Sequence, residues 1–459
     1  MAKVNLKQKE INGDTLTPIT VFNRIQGKKK FLLESSSGHG EKARYSFIGC
    51  NPFKEIVGER TETRIYDQDG NIVDTLKQNP LEVVKNHTSH ESLDLPFSFY
   101  GGAVGYIGYD MIRHYEDIGM ILEDELTMPD LHLMFYQQVI VFDHKKQSVT
   151  IIALNLDGKQ SDEDLIKGIE VMEHAIVNQQ GDDQIKEINV SFKPSINQAT
   201  FIDMVKTAKK HIINGDVFQV VLSQRMKASF DTDPFIFYRR LRIANPSPYM
   251  FFIDFEKYIV LGASPESLIK TKGRQVITNP IAGTRPRGKT DAEDELLAKE
   301  LKADEKERAE HKMLVDLGRN DLGRVCKVGS ITLPKYMTIE RYQHVMHIVS
   351  EVQGELKEDY SGIDALVATI PAGTVSGAPK IRAMQIINQL ERKKRGVYAG
   401  AVGYINMNGD LDLALAIRTM LIKDNKAYVQ AGAGIVFDSD PEAEYQETLN
   451  KAKSLLEVQ

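Results

Sequence analysis

The sequence predicts an α+β protein, in which antiparallel strands and helices come from different stretches of the chain. Short runs of β-branched and aromatic residues are separated by tight-turn dipeptides such as Asp69-Gly70 and Asn408-Gly409, as in β-hairpins. Other stretches repeat apolar residues at the spacing of one helix face. With 459 residues and 42% hydrophobic content, the chain can build one large domain or two to three ordinary ones.

The first region, 15–155, has the composition of a β-rich unit. Its predicted strands are Phe31 to Glu34, Ile65 to Val73 with a turn at Asp69-Gly70, Gln138 to Phe142 and Val149 to Leu154. Helical spacing follows at 161–179 and 200–213. The polar, acidic segment 180–193 between them predicts a linker, so we place the boundary between the two regions near 190.

The second region, 197–456, is predicted to hold a strand meander, then helices, then closing strands. Its predicted strands are Phe218 to Met226, Tyr249 to Phe255, Tyr258 to Ala263, Ser267 to Thr271, Gln275 to Asn279, Tyr398 to Met407, Leu411 to Lys423 and Ala427 to Ala433. Its predicted helices are Thr290 to Leu317, Ile363 to Ile370, Pro379 to Lys394 and one that begins at Asp440-Pro441. Thr290 with Glu293 forms a capping-box pattern.

The loop TNPIAGTRPRG, Thr278 to Gly288, is predicted to join a strand to the helix that starts at Thr290. Its two arginines can fork onto a carboxylate or phosphate, and the helix start behind it adds free amide groups. An anion-binding loop is therefore one interpretation. A surface connection with solvated arginines is the other.

Composition excludes several classes of protein. The net charge of −6 without a basic stripe argues against nucleic-acid binding. Cys50 and Cys326 lie far apart, which argues against a disulfide framework or a zinc site. No apolar run has the length of a signal peptide or a membrane span. The expectation is a soluble cytoplasmic protein that makes no membrane contact.

One short internal echo stands out. Tyr100 to Ile107 reads YGGAVGYI and Tyr398 to Ile405 reads YAGAVGYI, with seven identities in eight positions. Glycines within strands permit close approach of another backbone, so the echo suggests that two sheets use similar central strands. Chance convergence of a short pattern is the alternative.

Carboxylates are aligned on two predicted helices. Glu307 and Glu310 lie three residues apart, and Glu444, Glu447 and Lys451 form a second stripe. Solvated helix faces tolerate such pairs. If the stripes face each other, however, four carboxylates need a cation, and hard oxygen ligands favour Mg²⁺.

Seven ordered motifs in the second region carry a family resemblance. They are PIAGTRPRG (280–288), LGASPES (261–267), AEHKMLVDLGRND (309–321), PAGTVSGAPK (371–380), AIRT (416–419), AGAGIV (431–436) and EYQET (444–448). The chain thereby resembles the chorismate-utilising enzymes. LLES (32–35) and GGAVGYIGYD (101–110) resemble the amino-terminal region of anthranilate synthase large subunits and their aminodeoxychorismate relatives. The resemblance implies a β/α/α/β sandwich, two large antiparallel sheets enclosing helices.

Three positions discriminate between the chemistries of the family. Gln219 stands where isochorismate-forming members carry a lysine base, and an amide cannot serve as a general base. Ala282 stands where many aminodeoxychorismate synthases carry a lysine nucleophile, and a methyl group forms no adduct. His347 matches the histidine associated with pyruvate elimination. The resemblance therefore implies that ammonia adds to chorismate and that anthranilate and pyruvate are released.

The resemblance also implies roles for individual residues. Glu266 is expected to be the general acid, His347 to assist pyruvate loss, and Gln219 to belong to the catalytic set. Glu310 and Glu447 are expected to bind Mg²⁺ with Glu307 and Glu444 in support. The expected contacts to chorismate are Gly283, Thr284, Tyr398, Arg418, Gly432, Ala433, Gly434 and Lys451.

Two partners are implied as well. The chain has no segment left for a glutaminase, so glutamine-dependent activity requires a separate amidotransferase subunit and predicts a hetero-oligomer. LLES and NPSPYMFF (245–252) match a tryptophan inhibitor pocket, with Ser35, Pro248, Tyr249 and Met250 as contacts. The alternatives are an aminodeoxychorismate or aminodeoxyisochorismate synthase that stops before pyruvate loss, and a non-catalytic chorismate- or tryptophan-binding regulator.

Overall fold

A computed structural model describes residues 4–35, 44–178, 190–342 and 345–456. Most of the predicted linker, 180–189, lies outside the described residues. Both cysteines are buried and unpaired. In the described part of the chain, no helix combines the length and the apolar character that a membrane span requires.

The first half of the chain supplies ten strands and three α-helices among the described residues. They are β1 (Asn5–Asn12), α1 (Pro18–Arg24), β2 (Phe31–Glu34), β3 (Tyr45–Gly49), β4 (Lys54–Glu59), β5 (Glu62–Asp67), β6 (Ile72–Leu76), α2 (Pro80–His87), β7 (Gly102–Ile107), β8 (Leu131–Tyr136), β9 (Gln138–Asp143), β10 (Ser148–Asn155) and α3 (Asp162–Asn178). A 3₁₀ helix, Tyr109–His114, follows β7.

The second half supplies the remaining elements. They are β11 (Lys193–Pro194), α4 (Gln198–Ile213), β12 (Gln219–Ser229), α5 (Pro234–Ala244), β13 (Tyr249–Asp254), β14 (Tyr258–Ser264), β15 (Ser267–Lys272), β16 (Gln275–Thr278), β17 (Ile281–Pro286), α6 (Asp291–Ala303), α7 (Glu305–Gly323), β18 (Thr332–Arg341), β19 (Val345–Glu355), α8 (Gly362–Thr369), α9 (Gly373–Ser376), β20 (Gly377–Ala378), α10 (Lys380–Glu391), β21 (Ala401–Asn406), β22 (Leu411–Leu415), β23 (Thr419–Lys423), β24 (Lys426–Ile435) and α11 (Pro441–Leu456).

These strands form two antiparallel sheets, each with twelve strands among the described residues. Sheet A has the order β1-β10-β9-β3-β2-β13-β14-β23-β24-β12-β11, with β20 beside β12. Sheet B has the order β17-β19-β16-β15-β22-β21-β7-β8-β4-β5-β6, with β18 beside β19. The predicted α+β class and the two large antiparallel sheets are confirmed.

Both sheets are shared between the two halves of the chain. Sheet A is joined at its centre where β2 pairs with β13, and sheet B where β21 pairs with β7. Counted outward from the centre of sheet A, the first half contributes β2, β3, β9, β10 and β1, and the second half contributes β13, β14, β23, β24 and β12 in the matching order along the chain. Sheet B shows the same correspondence. One arrangement of strands therefore occurs twice. The echoed segments are themselves the central pair, with Gly403 opposite Gly105. They are therefore neighbours in one sheet and not the centres of two sheets.

The layer order differs from the expected one. The inner faces of the two sheets pack directly on each other, and the ring of Phe47 in sheet A lies 5.7 Å from that of Tyr404 in sheet B. Helices α1, α3, α5 and α11 cover the outer face of sheet A, while α2, α7 and α8 cover that of sheet B. The described helices of these two groups thus flank the sheets and are not enclosed by them.

Two predicted elements are divided in the structure. The helix predicted from Thr290 to Leu317 becomes α6 and α7, because Asp304 adopts an extended backbone that ends the first helix and caps the second. Thr290 caps α6 through the amide of Glu293, as predicted. The strand predicted from Leu411 to Lys423 becomes β22 in sheet B and β23 in sheet A, since the chain turns at Arg418 with a φ of 50°.

The glycines of the central pair in sheet B are sterically required. A methyl group on Gly105 would lie 2.0 Å from the carbonyl oxygen of His132 on the neighbouring strand. We therefore expect Gly105→Ala to destabilise the protein by about 1–3 kcal/mol, the usual cost of overpacking, measured by urea unfolding. Gly323→Ala is the control, because its nearest neighbour would lie 3.9 Å away. An unfolding midpoint of Gly105→Ala equal to that of the control would contradict the steric argument.

Candidate active site

The candidate site forms where the chain crosses twice between the sheets. One crossing, 265–266, connects β14 of sheet A with β15 of sheet B, and the other, 416–418, connects β22 with β23. The amide of Leu415 donates to the carbonyl of Glu266 at 3.0 Å, and the amide of Ala263 donates to the carbonyl of Arg418 at 3.0 Å. These two bonds hold an acidic and a basic residue side by side.

Glu266 is a buried carboxylic acid that keeps its proton up to nearly neutral pH. Burial raises its pKa to about 7, against opposing effects of the Thr374 hydrogen bond and the Lys451 charge. Thr374 donates its hydroxyl to Oε1 of Glu266 at 2.9 Å. Such a group can deliver a proton to a departing oxygen.

His347 lies on β19 opposite Thr284 of β17. Its Nδ1 lies 2.9 Å from the carbonyl oxygen of Gly283, and because a carbonyl oxygen only accepts, Nδ1 carries the proton and Nε2 the lone pair. Burial lowers the pKa of His347, and the nearby charge of Arg418 lowers it further. The neutral ring can therefore act as a base through Nε2.

Residues 432–434 of β24 form a glycine wall beside Tyr398 and Gln219. A methyl group on Gly432 would lie 2.7 Å from the hydroxyl of Tyr398, and one on Gly434 would lie 2.6 Å from Nε2 of Gln219. Ala433, between them, is buried opposite Leu222 of β12. Only glycine lets the tyrosine and the glutamine come this close to the strand.

Arg418 and Lys451 bring positive charge to the same place. Nη1 of Arg418 donates to the carbonyl oxygen of Lys451 at 2.6 Å, and Nζ of Lys451 donates to that of Gly432 at 3.2 Å. Burial lowers the pKa of Arg418, while burial raises that of Tyr398 to about 12. The structure thus brings Glu266, His347, Tyr398, Arg418, Lys451 and the glycine wall together.

The four glutamates form two pairs. Glu310 accepts from Nε2 of Gln219 at 3.2 Å, and burial together with the charge of Glu310 raises the pKa of Glu307. On α11, Glu447 pairs with Lys451 at 2.5 Å, and burial together with the charge of Glu447 raises the pKa of Glu444. Each pair has one cation beside it, Arg285 at 3.4 Å from Glu307 and Lys451 on Glu447, so its two negative charges are only partly balanced.

The donor set suits a hard cation, but it is not gathered into one site. Oε2 of Glu444 and Oε1 of Gln219 are buried acceptor atoms without a hydrogen-bond partner among the described residues. Yet no three acidic, histidine or cysteine side chains in the described ranges lie close enough to hold a metal ion. The protein alone thus offers pairs of oxygen ligands, and a cation here would need oxygens from a bound ligand as well.

The arginines of the predicted anion loop are used internally. Residues 281–286 form β17, so the segment is itself a strand. Arg285 pairs with Asp304 at 2.9 Å, and Arg287 forks onto Asp294, at 2.7 Å and 3.1 Å. The prediction of a loop that binds an external anion through these arginines is wrong, because carboxylates of α6 and of its cap occupy both.

The residues of the predicted inhibitor pocket come from adjacent strands. The β2–β13 pairing sets Glu34 opposite Met250, which makes Ser35 and Tyr249 next in the register. The hydroxyl of Tyr249 donates to Asp412 of β22 at 3.0 Å. Pro248 directly precedes β13. Tyr249 also lies opposite Ser264, the last residue of β14, directly before the first crossing.

Sequence reasoning missed two residues of the site. Thr374 contacts Glu266, and the ring of Tyr342 lies 5.5 Å from that of His347. Thr374 belongs to the motif PAGTVSGAPK, whose hydroxyl residues were the available signal. Tyr342 had none, since only the β18–β19 pairing places it beside the histidine.

Comparisons with known proteins identify the family of the chain. Residues 28–457 match the family model described as chorismate binding enzyme. Anthranilate synthase component 1 of Lactococcus lactis subsp. lactis (strain IL1403) is 48% identical, over 98% of this chain and 99% of that protein. The corresponding protein of Aquifex aeolicus (strain VF5) is 43% identical, over 98% and 93%.

Solved structures agree as well. The crystal structure of anthranilate synthase component I from Streptococcus pneumoniae TIGR4 superposes with a TM-score of 0.84 at 46% identity, covering 97% of this chain and 98% of that chain. The menaquinone-specific isochorismate synthase of Escherichia coli shares the fold, with a TM-score of 0.74 at 19% identity over 99% and 95%.

Glu266 should make stability depend on pH. The folded pKa of about 7 lies above the ordinary 4.5, so between these values the folded state holds a proton that the unfolded state has lost. Stability is then full below about pH 4.5 and falls by up to about 1.4 kcal/mol per pH unit as pH rises towards 7. Glu266→Gln lacks this titration. We expect wild type to lose stability relative to the variant over that range in urea unfolding, and a constant difference would contradict the assignment.

Proposed function

The chain belongs to the chorismate-binding enzymes, and we propose that it is the chorismate-converting component of an anthranilate synthase, which forms anthranilate and pyruvate from chorismate and ammonia. The observation that carries this proposal is the buried Glu266, whose pKa burial raises to about 7, within reach of the Lys451 charge and next to the crossing that carries Arg418. The similarity to anthranilate synthase component 1 proteins over nearly the whole chain supports it.

Glu266 and the two cations account for the first step. Chorismate carries two carboxylates and a ring hydroxyl. We assign Arg418, with Tyr398, to the enolpyruvyl carboxylate, and Lys451 to a further anionic contact. Glu266 donates its proton to the ring hydroxyl, which leaves as water while ammonia adds to the ring. Gly283, Thr284 and the backbone of 432–434 line the substrate.

We assign the second step to His347. Its Nε2 lone pair takes the ring proton as the enolpyruvyl ether bond breaks, and the enolpyruvate takes up a proton and departs as pyruvate. The ring becomes aromatic, which drives the elimination. Gln219 holds Glu310 through its amide and cannot activate water, so isochorismate formation is disfavoured. Ala282 is a buried methyl group that excludes a covalent route.

We assign Mg²⁺ to the glutamate pairs. Glu310 and Glu447 would be its ligands, with Glu307 and Glu444 in support, and the bound ion would hold the ring carboxylate of chorismate. This carboxylate supplies the oxygens that the separated pairs lack. The assignment rests on the mutual repulsion within each pair, which raises the pKa of Glu307 and of Glu444 in addition to burial, and on the two buried acceptor oxygens.

A second subunit is part of the proposal. The relatives are named component 1, which implies that a component 2 acts with them. We propose that this partner is a glutamine amidotransferase that delivers ammonia, so that the working enzyme is a hetero-oligomer. With ammonium salt in place of glutamine, the chain should act without that partner.

The product assay tests the proposed function. With chorismate, Mg²⁺ and ammonium salt, the protein should produce the fluorescence of anthranilate, and the absence of tryptophan from the chain leaves that signal without indole background.

Glu310→Gln should require more Mg²⁺ for the same rate, because one anionic ligand is lost. Glu266→Gln should lower turnover by about 10²–10⁴, the usual effect of a positioned general acid.

Controls distinguish the alternatives. Glu358→Gln, at an exposed turn, should act as wild type. Consumption of chorismate without fluorescence would indicate an aminodeoxychorismate or aminodeoxyisochorismate synthase, and no consumption would favour a non-catalytic binder.

His347→Met should consume chorismate yet accumulate a non-fluorescent amino intermediate. Normal anthranilate release by this variant would remove His347 from the elimination step.

We further propose that tryptophan inhibits the enzyme by binding beside Ser35, Pro248, Tyr249 and Met250. The bond from Tyr249 to Asp412 links this group to β22, which ends at the residue that holds Glu266. A tryptophan that shifts Tyr249 can therefore displace the crossings. Coupling of this kind is typically about 1–3 kcal/mol and is reciprocal, so chorismate must weaken tryptophan binding by the same factor.

Ser35→Leu should abolish this control, since it removes a hydroxyl and fills the space. Because the chain has no tryptophan, added tryptophan is the only indole in the sample, and its fluorescence anisotropy reports binding directly. We expect wild type to raise the anisotropy, chorismate to reverse the rise, and Ser35→Leu to show neither while keeping uninhibited turnover. A variant as sensitive as wild type would refute the pocket.

A further inference from the structure

Arg395 is a buried cation that packs against Tyr398, a residue of the candidate site. It follows α10, and its side chain is 1% exposed. Its guanidinium carbon lies 4.7 Å from the ring centre of Tyr109 and 5.5 Å from that of Tyr398. Contact with two aromatic rings favours a planar guanidinium over any other cation.

The hydrogen bonds of Arg395 reach three separate segments. Nε and Nη2 fork onto Glu391 at 2.9 Å and 2.7 Å. Nη1 donates to the carbonyl oxygen of Val375 at 2.7 Å, and Nη2 donates to that of Val221 on β12 at 2.8 Å. One rigid group therefore fixes α10, β12 and α9, which carries Val375.

The segments that Arg395 holds are those that carry substrate-facing groups. Val375 directly follows Thr374, whose hydroxyl binds Glu266. Glu391 also accepts from the amide and hydroxyl of Ser223, which pairs with Gly432 of the glycine wall. The complete burial of the guanidinium keeps Arg395 itself away from substrate.

Stability alone does not account for this arrangement. A buried ion pair gains little over apolar side chains of similar volume, because the desolvation of both charges offsets their attraction. What a guanidinium adds is direction, since its donors lie in one plane at fixed angles. The bonds from Arg395 use this property to set the spacing between Tyr398, Thr374 and β12.

We propose that Arg395 is a positioning residue, which orients Tyr398 towards chorismate and Thr374 towards Glu266, with the Tyr109 ring of the first region supporting the guanidinium. The motif GGAVGYIGYD thereby gains a role in the chemistry of the second region. The proposal rests on the proposed function for its turnover measurements, but its binding measurements are independent of it.

Arg395→Lys tests the proposal, because lysine keeps the charge but loses the fork and the plane. We expect KM for chorismate and its calorimetric Kd to rise about tenfold or more, as for a lost orienting contact. The alkaline limb of the rate, set by deprotonation of Glu266, should move to higher pH, since a loosened Thr374 no longer stabilises the carboxylate. Arg64→Lys, on a solvent-facing part of β5, is the matched control and should change none of these values.

A purely structural role would lower the unfolding midpoint and the amount of active enzyme, yet leave KM, Kd and the pH limb of the folded fraction unchanged. That result would overturn the proposal.

If Arg395→Lys does not fold, Tyr109→Leu replaces it, with Tyr109→Phe as its control. The hydroxyl of Tyr109 has no partner among the described residues, so only the ring should matter. Equal chorismate affinity in the leucine and phenylalanine variants would overturn the proposal.

Failure of the proposed function has a different signature. A wild-type protein that binds chorismate but releases no anthranilate would refute the function, while a weaker Kd in Arg395→Lys would still support the positioning role.

Discussion

Two backbone hydrogen bonds between the sheet crossings determine where the reactive groups lie. They connect Leu415 with Glu266 and Ala263 with Arg418. Because they join main-chain atoms, the acid and the cation are held by the course of the chain and not by the length of their side chains. Arg418 adopts a left-handed backbone to make this possible, at a cost of about 1–3 kcal/mol that only a surrounding sheet structure can sustain.

The same crossing occurs in both halves, but only one half carries the candidate catalytic groups at it. In the first half the chain passes between sheets at 50–53, from β3 to β4, and at Gln137, from β8 to β9. These crossings contain a cysteine, an asparagine, a proline, a phenylalanine and a glutamine, and therefore no carboxylate or strong cation. The first half instead supplies central strands of both sheets and the aromatic support of Tyr109.

The sequence correctly predicted features that depend only on neighbouring residues. The helix caps at Thr290 and Asp440 and the hairpin turn at Asn408-Gly409 depend on neighbouring residues, and they appear as expected. The family motifs supplied the remaining candidate residues. The failures concern long-range partners. The apolar pattern from Leu411 to Lys423 is the same whether its two strands belong to one sheet or to two. The residues next to Arg285 and Arg287 in the sequence do not indicate which aspartates pair with these arginines.

The shared sheets have a consequence for biosynthesis of the protein. The amide of Tyr100 binds the side chain of Asn406, 306 positions further along the chain. Pairings of such long range close large loops, so they form late and slowly. A ribosome that has finished β2 and β7 has not yet made β13 and β21, and the emerging chain presents two apolar strands with open edges. Until the last strands arrive, those edges can pair with other chains, which makes the nascent protein a natural client for chaperones.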